Sequence, residues 1–295
     1  MIYGAVDIGT NATRLLIGEI AESNGRAFVK KLSYVRVPLR LGMDVFENGR
    51  ISDHKITEFK KTMHAFKLIA EVFDVNELRA CATSAMREAE NGEAVRALIE
   101  KETGLNIEII RGQEEAELIF STFMLLEHDH DDPFIVIDVG GGSTEITVFS
   151  RNQKPISKSF RLGTIRMIKG KAEKSAWKEM ENWLEENLRK SDKYKVFGTG
   201  GNINKIHKFV GKKEKDAIHY KELEDVYEKL EKYNVNERME KFNLKPDRAD
   251  VIVPACVIYL NALKEIKAKE IFVPKVGLAD GMIYNMHMKK QQVPA

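Results

Sequence analysis

The chain has 295 residues, enough for two domains of ordinary size, and its 43% hydrophobic and 31% charged content is that of a globular protein. No apolar run approaches the ~20 residues that span a bilayer, and no basic, apolar leader opens the chain, so neither a membrane partner nor secretion is expected. The formal net charge of +2 supplies no global basic field of the kind nucleic acid demands, so no nucleic-acid partner is expected and any polyanion must be held by local groups.

In chain order, residues 2–7, 14–21 and 26–35 read as strands, the last two joined by an Asn24-Gly25 hairpin turn. Ser52 is placed to cap a helix running to Phe73, with Ile56, Phe59, Met63, Phe66 and Ile69 on one face. A buried strand over 77–83 follows, then a helix over 92–103 that Gly104 can terminate, a strand over 106–110 and a helix over 113–127. The polar stretch from His128 to Pro133 reads as a linker, after which the pattern restarts. Strands are expected over 134–138, 145–150 and 155–161, and a helix-rich segment over 164–190. A short strand over 195–197, charged helices over 202–243, an apolar helix near 248–265 and a strand over 271–273 complete the pass. Strands first, then helix and strand in alternation, twice over, predict an α/β fold with related domains over 1–127 and 128–295. Cys81 and Cys256 lie far apart in apolar stretches and read as buried free thiols of a reducing compartment, which points to the cytoplasm.

The restart is sharpest in one segment. Asp7-Ile8-Gly9-Thr10-Asn11-Ala12-Thr13-Arg14 is echoed by Asp138-Val139-Gly140-Gly141-Gly142-Ser143-Thr144-Glu145, with Asp, Gly and Thr at equivalent places. Each copy ends an apolar run and is followed by another alternation, hence strand, tight polar loop, strand. Such a loop offers a carboxylate for a metal, backbone N–H groups for a phosphate and hydroxyls beside both. Two of them facing each other would grip a phosphate chain from both sides. A single Asp-Gly turn is a common turn former, but two unrelated turns need not share three residues at the same offsets. Mg²⁺ takes few protein carboxylates and keeps waters and substrate phosphates, so one or two Asp residues suffice.

Arg87 follows a buried strand and a small-residue loop, where a guanidinium can grip phosphate oxygens; the bland alternative is a surface Arg paired with Glu88 or Glu90. Ala116, Ile119, Phe120 and Phe123 define the apolar face of the helix that begins near Gly112. At about 100° per residue, Glu114 lies nearly opposite that face and should meet solvent, while Glu115 lies on its flank and can edge a cleft. Both carboxylates would also favour the helix dipole, which is their bland explanation. Gly198-Thr199-Gly200-Gly201-Asn202 carries a weaker phosphate-loop signal. The basic runs Lys212, Lys213, Lys215 and Arg166, Lys169, Lys171, Lys174 read as solvated faces, and the histidines show no zinc spacing.

Taken together, the motifs resemble the exopolyphosphatase/guanosine-pentaphosphate phosphohydrolase family of the actin-like ATPase superfamily. The likeness rests on the two loops above with Leu39-Arg40-Leu41-Gly42, Ala82-Thr83-Ser84-Ala85-Met86-Arg87, Gly112-Gln113-Glu114-Glu115-Ala116, Arg248-Ala249-Asp250-Val251 and Gly277-Leu278. The resemblance implies two RNase H-like domains with an interdomain cleft, in the short form of the family. It implies that Glu115 is the base that activates water and Arg87 a phosphate-binding catalytic group. Asp138, Asp7 and Glu145 match acidic residues of the metal site. Thr10, Asn11 and Arg14, with Gly140, Gly141, Gly142, Ser143 and Thr144, match the phosphate loops. Family members release terminal orthophosphate from inorganic polyphosphate or guanosine pentaphosphate using Mg²⁺; a monovalent cation such as K⁺ is a further candidate, and a homodimer a candidate assembly. Ala12 departs from the family pattern by losing a hydroxyl, and Pro274 and Ala279 depart from a Ser and a basic residue. The expected function is an exopolyphosphatase. The alternatives are a non-catalytic alarmone or polyphosphate sensor and a kinase of the same superfamily, although no acceptor-binding motif is found for the latter.

Overall fold

The structure, a computed structural model, describes every residue except 24–25, 124–131, 151–152, 190–191, 214 and 292–295. The Asn24-Gly25 turn and most of the expected linker therefore lie outside the described residues. The chain divides into two compact units, Met1–His128 with Val276–Ala295, and Asp129–Lys275.

The first unit opens with β1 (Ile2–Ile8), β2 (Thr13–Ser23) and β3 (Arg26–Val37), an antiparallel meander. α1 (Leu41–Asn48), α2 (Asp53–Val72), β4 (Glu77–Ala82), α3 (Ser84–Glu88), α4 (Gly92–Thr103), β5 (Ile107–Ile109) and α5 (Gly112–Phe123) follow. β4 and β5 add in parallel, giving the sheet order β3-β2-β1-β4-β5. β1 is apolar almost throughout because it lies in the middle of that sheet; Ala5, Val6 and Ile8 are all buried. α2 starts where the Ser52 hydroxyl accepts from the Lys55 N–H, and its buried side includes the expected Phe59, Met63 and Phe66. α4 ends, as expected, on a left-handed Gly104.

The second unit repeats the plan. β6 (Phe134–Val139), β7 (Thr144–Phe149) and β8 (Ile156–Phe160) form the meander; α6 (Thr164–Ile168), α7 (Lys174–Asn187), β9 (Lys195–Thr199), α8 (Gly201–Val210), β10 (Ile218–His219), α9 (Tyr220–Glu231), α10 (Val235–Phe242), α11 (Pro246–Ala249), α12 (Ile252–Ile266) and β11 (Glu270–Ile271) follow. The sheet order is β8-β7-β6-β9, and a parallel bridge from Phe197 to Phe272 puts the chain after β11 where the first unit has its fifth strand. β10 and β11 pair as a separate ribbon. The core of this unit gathers β6 and β7 side chains with Met180, Leu184, Ile203, Ile206, Ile258 and Tyr259.

One expectation is corrected. The second domain does not run to residue 295, because α13 (Leu278–Gln291) belongs to the first unit, where it packs on α5, β1 and β2. It buries Leu278, Met282, Ile283 and Met286 there. Asp280 and Gly281 interrupt this apolar stripe in the sequence, which hid the helix. Asp280 is nonetheless buried, ion-paired to Lys31 of β3 at 2.9 Å and accepting from the Gly277 N–H at 3.0 Å. Burial raises its carboxyl above the usual range, against the pull of Lys31. Gly281 permits the close packing: a Cβ there would sit 1.9 Å from the Leu118 carbonyl oxygen of α5.

Gly281→Ala is therefore expected to destabilise the protein. A helical Gly→Ala change normally gains up to ~1 kcal/mol, but overpacking against backbone costs ~1–3 kcal/mol or more, and here the clash should win. Urea unfolding measures it; Gly277→Ala, with no atom within 4 Å of its added methyl, serves as the silent control.

Candidate active site

Each unit ends its central strand in the same turn. In the first, the Gly9 N–H donates to the Ala12 carbonyl at 3.1 Å; in the second, the Gly140 N–H donates to the Ser143 carbonyl at 2.9 Å. A Cβ on either glycine would lie 3.0 Å from that same carbonyl, so both turns need the missing side chain.

Both loops are also tied back from one side. The Thr10 and Asn11 carbonyls accept from the N–H groups of Gly42 (3.0 Å) and Arg40 (3.1 Å). In the second unit the Gly140 carbonyl accepts from the Thr164 N–H at 3.0 Å, and the Gly141 carbonyl from those of Ile165 (2.8 Å) and Arg166 (3.1 Å). The Gly142 carbonyl takes Arg166 Nε at 2.7 Å. With its carbonyls engaged, the second loop keeps donors: among the described residues no acceptor takes the N–H groups of Gly141, Gly142 or Ser143. Three N–H groups on a glycine-rich turn make an anion-binding concavity. The tie-back segments are themselves a repeat, Arg40-Leu41-Gly42 and Arg161-Leu162-Gly163, each following the third strand of its sheet. That echo was visible in the sequence and extends the duplication beyond the loops.

Thr10, Asn11 and Ser143 are buried in their turns. Thr144 also serves as a structural tie, its fully buried hydroxyl donating to the Leu162 carbonyl at 2.6 Å.

Register assigns the acidic groups. Asp7 pairs with Arg14 across β1 and β2, and the two side chains form an ion pair at 2.5 Å. Asp138 pairs in register with Glu145 across β6 and β7, so the equivalent position holds a second carboxylate. Directly opposed residues of an antiparallel pair have Cβ atoms ~4.5–5.5 Å apart, and like charges there are destabilising. A row forms across four strands: Thr199 Oγ1 donates to Asp138 Oδ1 at 2.5 Å, and Ser159 Oγ donates to Glu145 Oε1 at 2.7 Å. The buried Tyr259 hydroxyl donates to the Thr199 carbonyl at 2.7 Å and fixes that end of the row. Burial raises the Tyr259 pKa well above the ordinary phenol value, which keeps it a donor.

No cluster of three or more His, Cys, Asp or Glu that could hold a metal occurs among the described residues. A pair of adjoining carboxylates, one of them 2% exposed, beside a loop of N–H donors still fits Mg²⁺, which takes few protein ligands. Asp7 fits less well, because Arg14 already balances its charge.

Arg87 is not the surface ion pair of its bland reading. It is half-buried, and its Nη1 donates to the Ile110 carbonyl at 2.7 Å, with no carboxylate partner among the described residues. Glu115, 8% exposed, stands in the first turn of α5, as its place on the flank of the apolar face implied. Glu114 points the other way and is 46% exposed, but solvent is not its only company: it accepts from Arg79 Nη2 at 3.1 Å.

The remaining motifs sort as follows. Arg248 donates to the Asn202 side chain at 2.9 Å, close against the start of α8. Arg166 is 2% exposed and belongs to the loop, not to a solvated basic face, while Lys212 pairs with Glu222 at 2.9 Å. Cys81 and Cys256 are free and buried, and burial pushes each thiol up to about 12. No described helix is long and apolar enough to cross a membrane.

Two like-ordered α/β sheets, each with a glycine-closed loop at the end of its central strand, define a duplicated fold built to present such loops. The Ppx/GppA phosphatase family model matches residues 20–290, and the chain belongs to that family. It is 28% identical over 292 residues to a bifunctional 3-dehydroquinate synthase/phosphatase of Fusobacterium nucleatum, covering 90% of this chain and 43% of that protein. It is 30% identical over 169 residues to exopolyphosphatase 1 of Mycobacterium tuberculosis, covering 57% of this chain and 48% of that protein. The chain thus spans about half the length of the curated relatives it matches. Among solved structures, an exopolyphosphatase from Cytophaga hutchinsonii superposes with a TM-score of 0.82 at 24% identity, covering 98% of both chains. The Aquifex aeolicus member of the Ppx/GppA family gives 0.78 at 22% identity over 99% of both. At these identities the likeness is one of fold.

Proposed function

We propose that the protein is a Mg²⁺-dependent phosphoanhydride hydrolase, an exopolyphosphatase that releases terminal orthophosphate from inorganic polyphosphate, with guanosine pentaphosphate as a second substrate. The observation that carries this reading is the second loop, whose unengaged N–H groups adjoin the paired carboxylates Asp138 and Glu145. Membership of a phosphatase family and the exopolyphosphatase relatives point to the same substrate class.

In this reading the Gly141, Gly142 and Ser143 N–H groups bind phosphate oxygens, and the Arg87 guanidinium adds charge. Asp138 and Glu145 would hold Mg²⁺, which when bound neutralises charge on the phosphate oxygens. Glu115 takes a proton from water as the water oxygen bonds to the terminal phosphorus and the bond to the bridging oxygen breaks. The products are orthophosphate and a chain one phosphate shorter. Little covalent chemistry falls to the protein, so positioning and charge carry the rate. Arg14, held by Asp7, offers a cation beside the first loop for a further phosphate.

Glu115→Gln keeps size and polarity but removes basicity, and should lower orthophosphate release by roughly 10²–10⁴-fold. A variant with wild-type turnover would take the base assignment away from Glu115, and no release by the wild-type protein would favour a sensor. Asp138→Asn should raise the Mg²⁺ concentration needed for half-maximal activity and lower turnover. An unchanged Mg²⁺ titration would remove Asp138 from the metal site.

A further inference from the structure

Arg79, on β4, is 11% exposed in its side chain and reaches three other elements of the first unit. Its Nε lies 3.0 Å from Glu108 Oε1 and its Nη2 2.7 Å from Glu108 Oε2, a two-pronged grip on β5. The same Nη2 donates to Glu114 Oε1 of α5 at 3.1 Å, and Nη1 to Asn285 Oδ1 of α13 at 3.4 Å. Glu114 is the residue before Glu115, and the first turn is closed by the Glu115 N–H donating to the Arg111 carbonyl at 2.9 Å. On the same connection, Arg87 holds the Ile110 carbonyl. Two guanidinium groups thus restrain the segment 110–114 from different elements.

We propose that Arg79, through Glu114, is a positioning device for hydrolysis: it fixes the rotation of the first turn of α5 and so the place of the Glu115 carboxylate. Successive helical residues are about 100° apart, so a restraint on Glu114 sets the direction of Glu115. An ion pair with an acid this exposed adds little to folding, which leaves its geometric effect as its main consequence. Small displacements of a catalytic group can cost about 10²-fold in rate. The Arg79 fork matches two carboxylates at once, which a Lys point charge does not.

The proposal rests on Glu115 acting as the base, so Glu115→Gln is assayed beside the clamp variants on long polyphosphate with the full chain. Glu114→Ala should lower kcat for orthophosphate release by about tenfold, with KM within about twofold, unchanged melting temperature and faster amide hydrogen exchange over 112–115. Glu114→Gln keeps an oxygen that Arg79 can donate to and should recover most of the turnover, while Arg79→Lys should resemble Glu114→Ala. Wild-type kcat in Glu114→Ala, alongside a crippled Glu115→Gln, overturns the clamp and leaves the base standing. A fall in kcat matched by lost thermal stability and not recovered by Gln also overturns it, as ordinary structural damage. Should Glu115→Gln keep full turnover, the base reading fails and the positioning role falls with it, whatever the exchange over 112–115 in Glu114→Ala shows of the local restraint.

Discussion

The structure depends on a four-residue turn made twice, in which a glycine N–H at the end of a central strand bonds to the carbonyl three residues on. The turn reverses the chain into the next strand, so the acidic residue two places before the glycine comes into register with the residue five places after it. Once the loop carbonyls are bonded to the segment that follows the third strand, the second loop keeps the N–H groups of Gly141, Gly142 and Ser143, which no acceptor takes among the described residues. In the proposed function these donors bind phosphate oxygens of the substrate.

The duplication places chemistry as well as fold. Where the first unit sets Arg14 opposite Asp7, the second sets Glu145 opposite Asp138. One strand pair is internally neutralised, and the other concentrates negative charge beside N–H donors. A single change of residue type at one register position therefore gives the two halves different electrostatics: an Asp–Arg ion pair in one and two adjoining carboxylates in the other.

Much of this was legible in the sequence. The strand–loop–strand copies, the burial of Glu115 and the Ser52 cap follow from periodicity and turn chemistry acting over a few residues. What the sequence hid was long-range. Glu114 meets solvent as expected, but nothing local reveals that Arg79, 35 positions earlier, also reaches it from a neighbouring strand. Nor does anything local reveal that the Thr144 hydroxyl donates to the Leu162 carbonyl. The return of α13 to the first unit was obscured because Asp280 and Gly281, which break its apolar pattern, are the residues that allow it to pack, one through Lys31 and the other through its missing side chain.

The central claim of the proposed function, that terminal orthophosphate is released from polyphosphate, is tested most directly by electrophoresis of long polyphosphate after partial digestion with the wild-type protein. The account predicts that orthophosphate appears while most of the remaining polymer stays long, each attack having removed one terminal unit. A ladder of mid-length fragments appearing before substantial orthophosphate would contradict it, because release of one terminal unit at a time leaves no such fragments.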